Sequence, residues 1–262
     1  MSRDHREDVD RLNVLLSGSG DAKLARDVPP ALFTGDIDSV ERGNCICLIG
    51  INPGLSDKPE KHEQEYIPAE RMISRFRSGD ESAYSEYIDS RLRYFDRPYA
   101  NWRHFDKSGR GYPGLAFPGQ DKRSVWKRNA FAMDIVPYFS RDARSLDSRR
   151  VAESTKTDPS MENHLRAMKE IISMTRPKII HLNGSHGTHT FERILSPEFE
   201  LQEKFRDYKL KFGFVEIGGR SIKVIAHNQF ASWPNNPKKE HWPMFIEEWR
   251  RWCSENEQGP AY

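Results

Sequence analysis

Cys45-Ile46-Cys47-Leu48-Ile49 runs without a polar break and then stops on Gly50-Ile51-Asn52-Pro53-Gly54-Leu55-Ser56. A short apolar run with no alternation is the pattern of a strand covered on both faces, as in a parallel sheet. Gly50, Pro53 and Gly54 break the run, so Asn52 is expected at the carboxyl end of that strand, where open α/β sheets bind ligands. The same spacing fits an ordinary Asn-Pro-Gly turn. What decides between turn and site is which other residues converge on Asn52.

The rest of the chain alternates strand-like and helix-like stretches. Residues 1–43 are polar, with Leu12, Leu15 and Leu16 at helical spacing and a Pro29-Pro30 break, and read as an N-terminal extension. Residues 57–112 have little strand character and read as an insertion over the carboxyl edge of the sheet, a candidate lid or substrate-facing cap. Asn129–Tyr138 predicts a second strand, interrupted by Asp134 and ended by Pro137. Asn163–Thr175 predicts a helix with Leu165, Met168, Ile171 and Ile172 at helical spacing. Ile179–Gly184 predicts a third buried strand, and Val215–Ala226 a hairpin about Gly218-Gly219 whose second arm runs into His227. Phe245, Trp249 and Trp252 share one face of a closing helix, as core residues do. These elements predict a single α/β domain over residues 1–262, a three-layer α/β/α sandwich around a central, mainly parallel, four-stranded sheet. If the strands are parallel neighbours, Asn52, Asp134 and His227 share one rim.

The chain has no run of about 18 apolar residues and no apolar segment behind its start, so neither membrane insertion nor secretion is expected. Three cysteines, two of them on one face of a strand, do not make a disulfide framework, which fits a reducing cytoplasm. Nor can they supply the four thiolates of an iron–sulfur cluster. His181, His186 and His189 match no zinc-ligand spacing and read as loop histidines near phosphate, so no metal and no cofactor is expected. Net charge is only +2, but Asp89–Arg128 holds ten Lys/Arg against four Asp/Glu, interleaved with Tyr94, Phe95, Tyr99, Trp102 and Phe105. A basic surface with aromatics suits phosphate neutralisation and base stacking; a solvated charged face has the same composition.

Gly50-Ile51-Asn52-Pro53-Gly54-Leu55-Ser56 resembles the first motif of the uracil-DNA glycosylase superfamily, in the form used by its mismatch-specific thymine/uracil branch. Three further segments fall in that family's order: Gly114-Leu115-Ala116-Phe117, Phe131-Ala132-Met133-Asp134-Ile135-Val136-Pro137 and Val224-Ile225-Ala226-His227. The resemblance spans roughly residues 45–233 and implies a glycosylase-like sandwich acting as a monomer on DNA. It implies that Asn52 positions the attacking water or stabilises the sugar cation, and that His227 hydrogen-bonds the base oxygen. Gly50, Ile51, Pro53 and Gly54 would shape the base pocket, and Phe117 would form its aromatic floor. Breaking the C1′–N bond leaves positive charge on the sugar and negative charge on the base, so donors must face the base. The base must first leave the stack. Asparagine orients water but is a poor general base, which implies slow chemistry.

Two departures from the family pattern are informative. After His227 the family continues with Pro-Ser, whereas this chain has Asn228-Gln229-Phe230-Ala231-Ser232-Trp233. Phe230 or Trp233 is then the candidate wedge and Ser232 or Gln229 the phosphate clamp, with Ser56, Arg123, Lys127 and Arg128 as further DNA contacts. Asp134, moreover, stands where a uracil reader has asparagine. An ionised carboxylate only accepts hydrogen bonds, so it opposes O4 and suits the N4 amine of a cytosine-type base. Excision of ordinary cytosine would destroy the host genome, so the expected target is a modified cytosine. The hydroxymethyl or glycosylated hydroxymethyl cytosine of phage DNA is an example, its substituent housed by residues 57–112, and the role would be anti-phage defence. A structural Asp134 paired with an arginine would leave uracil or thymine mismatch repair as the function. A non-catalytic DNA-binding module and a hydrolase of free nucleosides are the remaining alternatives.

Overall fold

The computed structural model describes residues 5–26, 29–54, 82–96, 122–140, 142–205, 208–227 and 242–256, with a few positions between 74 and 80. Its strands are β1 (Ile46–Gly50), β2 (Ala130–Asp134), β3 (Ile179–Asn183), β4 (Glu198–Phe205), β5 (Tyr208–Glu216) and β6 (Ser221–His227). They form one sheet in the order β2-β1-β3-β6-β5-β4. The four neighbours β2, β1, β3 and β6 are parallel, and β5 and β4 add antiparallel strands at one side. The sheet is therefore α/β and mostly parallel as expected, but six-stranded and mixed rather than four-stranded. The two extra strands are the antiparallel β5 and β4, and β5 begins seven residues before the expected hairpin arm.

Seven helices are described: α1 (His5–Leu15), α2 (Ser82–Leu92), α3 (Lys122–Arg128), α4 (Ser148–Thr157), α5 (Pro159–Thr175), α6 (Gly184–Leu195) and α7 (Trp242–Glu255). Local chemistry sets their limits. The Asp158 carboxylate accepts from the Ser160 and Met161 amides, and Pro159 occupies the first turn, so α5 starts four residues earlier than its apolar spacing suggests. Its buried residues Met161, His164, Met168, Ile172 and Thr175 hold one face. Asp147 caps α4 in the same way. The hairpin between β5 and β6 turns on Gly218 and Gly219, both at positive φ (61° and 69°), the backbone that two-residue hairpin turns require.

One face of the sheet carries Cys47, Ile49, Phe131, Met133, Ile180, Leu182, Val224 and Ala226 into the main core, where they meet Val151, Met161, Met168, Ile172 and Phe191 of the helices. Residues 5–40 belong to that core too, through Val9, Leu12, Leu16, Leu24, Phe33 and Val40. Arg11 ties α1 to Asp158 at 2.6 Å. The outer edge of β2 is covered by Thr34, which exchanges two 2.8 Å backbone hydrogen bonds with Ala132. The other face is packed in part by α7, whose buried Trp252 lies against Phe212 and Phe214 at 5.7 and 5.2 Å between ring centroids. No described helix is long and apolar enough to cross a membrane.

Candidate functional site

Registers place the polar strand ends in one row. Gly50 is the partner of Asp134, and Asn183 is the partner of His227. Ile49 pairs with Leu182, so one residue further Gly50 stands beside Asn183. The carboxyl ends of four adjacent parallel strands thus read Asp134, Gly50, Asn183, His227. At about 4.8 Å per strand the row is roughly 14 Å long. Side chains alternate along a strand and agree between register partners, so Asp134 and Asn183 lie on the face opposite the main core. Asn52 follows two residues beyond Gly50.

Gly50 makes room in the row for the Asp134 carboxyl. A Cβ on Gly50 would collide with Oδ1 of Asp134, so the carboxyl leans over the glycine. On another side Gly187 of α6 brings its Cα-side into van der Waals reach of the Gly50–Ile51 backbone: a Cβ there would lie 3.4 Å from the Ile51 nitrogen. The backbone carbonyl of Asp134 accepts from Nε2 of buried His164 at 2.8 Å. That bond assigns the proton to Nε2, and burial pulls the imidazole down to about 4, so it stays neutral. The Asp134 carboxyl itself makes no hydrogen bond and no ion pair within the described structure. Burial pushes it up to about 7, against a downward pull from Arg91.

Arg91 reaches this corner from α2, inside the predicted insertion. Its Nε donates to the Phe33 carbonyl at 3.1 Å, a second nitrogen donates to the Thr34 hydroxyl, and its guanidinium lies 5.0 Å from the centre of the Tyr94 ring. It acts on Asp134 through charge alone. Among the described residues no arginine forms an ion pair with Asp134.

Asn52 is buried, and its Nδ2 donates to the Pro53 carbonyl at 3.1 Å and the Tyr138 carbonyl at 3.5 Å. Two carbonyl partners fix which end of the amide is nitrogen. Oδ1 is left buried without a partner. Tyr138 is held in turn through its hydroxyl, which donates to Asp8 of α1 at 3.4 Å. The loops after β1 and β2 continue side by side: Val136 donates to Ile51 and Ser140 to Pro53. Ile51 enters the core, Pro53 is half-buried and Gly54 is exposed.

Asn183, which sequence reasoning did not single out, has the same feature as Asn52. It is 5% exposed, sits at the N-cap of α6 without making a cap hydrogen bond, and leaves Oδ1 buried and unpartnered. Asn-Gly after an apolar run looks like a turn, so only register reveals its place.

Of the other expected contacts, Ser56, Phe117, Gln229, Phe230, Ser232 and Trp233 lie outside the described residues, as do the side chains of Arg123 and His227. Lys127 pairs with Asp96 at 3.3 Å and Arg93 with Asp89 at 3.7 Å, so the basic segment is partly neutralised by its own acids. Arg128 is exposed. The three histidines are not loop residues: His181 is a buried member of β3, while His186 and His189 ride on α6. Among the described residues no group of three His, Cys, Asp or Glu could hold a metal ion. A cleft of about 300 Å³ lined by Ser173, Arg176, Arg220 and Ser221 lies at the amino end of the strands, away from the row. No protein-family model matches the chain, and neither does any curated protein.

Proposed function

We propose that the protein is a monofunctional DNA glycosylase of the uracil-DNA glycosylase type, acting on an everted pyrimidine. The observation that carries this reading is the row Asp134, Gly50, Asn183, His227 at one rim of four parallel strands, with Asn52 two residues beyond. Those are the motif positions that the resemblance singles out, together with one that it does not. In this mechanism the C1′–N electrons leave with the base, and His227 donates to the base oxygen that takes up the charge. The Asn52 amide is fixed by two carbonyls, so its Oδ1 orients the water whose oxygen adds to C1′ while the proton it sheds goes to the departing base anion. Asp134, leaning over Gly50, reads the 4-position of the ring.

An acceptor-rich row favours a donor-bearing base, so the substrate class we propose is modified cytosine, as in phage DNA, with anti-phage defence as the role. A second reading has a specific observation behind it. With its carboxyl near 7, Asp134 is partly neutral at physiological pH, and a neutral acid pairs with the N3–H/O4 edge of uracil or thymine as well. Duplex and single-stranded oligonucleotides carrying one uracil, cytosine, 5-hydroxymethylcytosine or glucosylated 5-hydroxymethylcytosine, followed by alkaline cleavage at abasic sites, separate the readings. Cleavage confined to modified cytosine supports the first and cleavage at uracil alone the second. Binding without cleavage of any of them supports a non-catalytic module.

A further inference from the structure

Buried amide oxygens without a partner are rare in folded proteins, because each forfeits its hydration for nothing. This protein places two near one rim, on Asn52 and Asn183. Asn183 has an obvious local use that it does not take. At the N-cap of a 12-residue helix its oxygen would normally accept from the second or third amide of the helix, and here it makes no such bond. Its register places it between Gly50, over which the Asp134 carboxyl leans, and the end of β6. We infer that Asn183 is a specificity residue of the site, its Oδ1 accepting from an N–H or O–H donor of the everted base.

This inference rests on the glycosylase reading and deepens it. The base would lie with its 4-position toward Asp134 and its 2-position toward the end of β6, and Asn183 meets it between those ends. The constellation offers acceptors from Asp134 and Asn183 on the two strands that flank Gly50, so a ring bearing an exocyclic amine or a hydroxylated substituent satisfies both. A structural Asn183 and a substrate-contacting Asn183 differ in one consequence. Removing an acceptor that holds nothing in the folded chain leaves stability unchanged or raised, whereas removing a cap lowers it.

The test compares wild type, Asn183→Ala and Asn183→Asp on the four oligonucleotides named above, with the melting temperature of each protein measured alongside. Expected are a melting temperature for Asn183→Ala no lower than wild type, a fall of 10-fold or more in its kcat/KM on the best substrate, and partial recovery in Asn183→Asp, which keeps an acceptor. If wild type releases base and Asn183→Ala does so within 2-fold of it, Asn183 does not touch substrate while the glycosylase reading stands. A loss of activity that tracks a large drop in melting temperature, equal in both variants, assigns Asn183 a structural role and overturns the inference. If wild type releases base from none of the oligonucleotides, the reading itself fails and the role of Asn183 falls with it.

Discussion

The carboxyl of Asp134 occupies the space that a side chain at Gly50 would fill. The two residues are register partners on β2 and β1, so the identity of one decides the conformation of the other. Gly50→Ala meets the movable end of a side chain rather than backbone, so the fold should survive at a cost of about 1–3 kcal/mol. The Asp134 carboxyl must swing away, and base reading goes with it. Thermal denaturation and excision kinetics on the same variant should show a small stability loss beside a drop in kcat/KM of about 10-fold or more.

Selectivity should depend on pH. Below about 7 the Asp134 carboxyl is neutral, both donates and accepts, and matches either pyrimidine edge. Above it the carboxylate keeps the amine of a cytosine-type base and opposes O4. The ratio of cytosine-type to uracil excision should therefore rise as pH climbs through 7, and Asp134→Asn should flatten the profile and favour uracil. Stability follows the same group. Its folded pKa lies above the ordinary 3.8, so its contribution is full below about 4 and is lost as pH rises through 7. The melting temperature of Asp134→Asn should exceed that of wild type most clearly at pH 8.

His164 works in the opposite direction. Its folded pKa of about 4 lies below the ordinary 6.5, so its contribution is complete above 6.5 and is lost as pH falls through 4. Replacing it, as in His164→Leu, leaves the Asp134 carbonyl without its partner. The expected cost is about 1–3 kcal/mol at pH 8, with a shallower loss of stability between pH 6.5 and 4 than wild type shows in chemical denaturation.

Asn52→Asp should not turn this chain into a faster enzyme, although an aspartate is the better base. The Asn52 nitrogen faces the carbonyls of Pro53 and Tyr138, and a carboxylate oxygen there would oppose both. The introduced acid is expected to stay protonated at neutral pH or to destabilise the loop by about 1–3 kcal/mol. Its excision rate at pH 7 should be no higher than wild type; a rate rise of 10-fold without loss of melting temperature contradicts this geometry.

Much of the frame was legible because it is apolar and local. Ile46–Gly50 and Ile179–Asn183 form strands because largely apolar runs have no solvent face, and Gly218-Gly219 forms the hairpin because of its backbone freedom. Glu198–Phe205 was not legible as a strand, since its four charged residues mask the alternation of a sheet-edge segment. The N-terminal residues look polar on average, yet the few apolar ones reach the core. Asp134 could be singled out from its segment, and its neighbours could not. His164 and Arg91 reach it from α5 and α2, and Asn183 joins it only through strand register, none of which is written in local sequence.

The most direct measurement is mass spectrometry of the free base released from DNA containing glucosylated 5-hydroxymethylcytosine, with wild type and Asn52→Ala run in parallel. Release of the modified base by wild type, at many turnovers per enzyme, with a rate about 10²–10³ lower for the variant and DNA binding retained, is the expected result. Release at equal rates by both proteins, or tight binding by wild type with no free base, contradicts it.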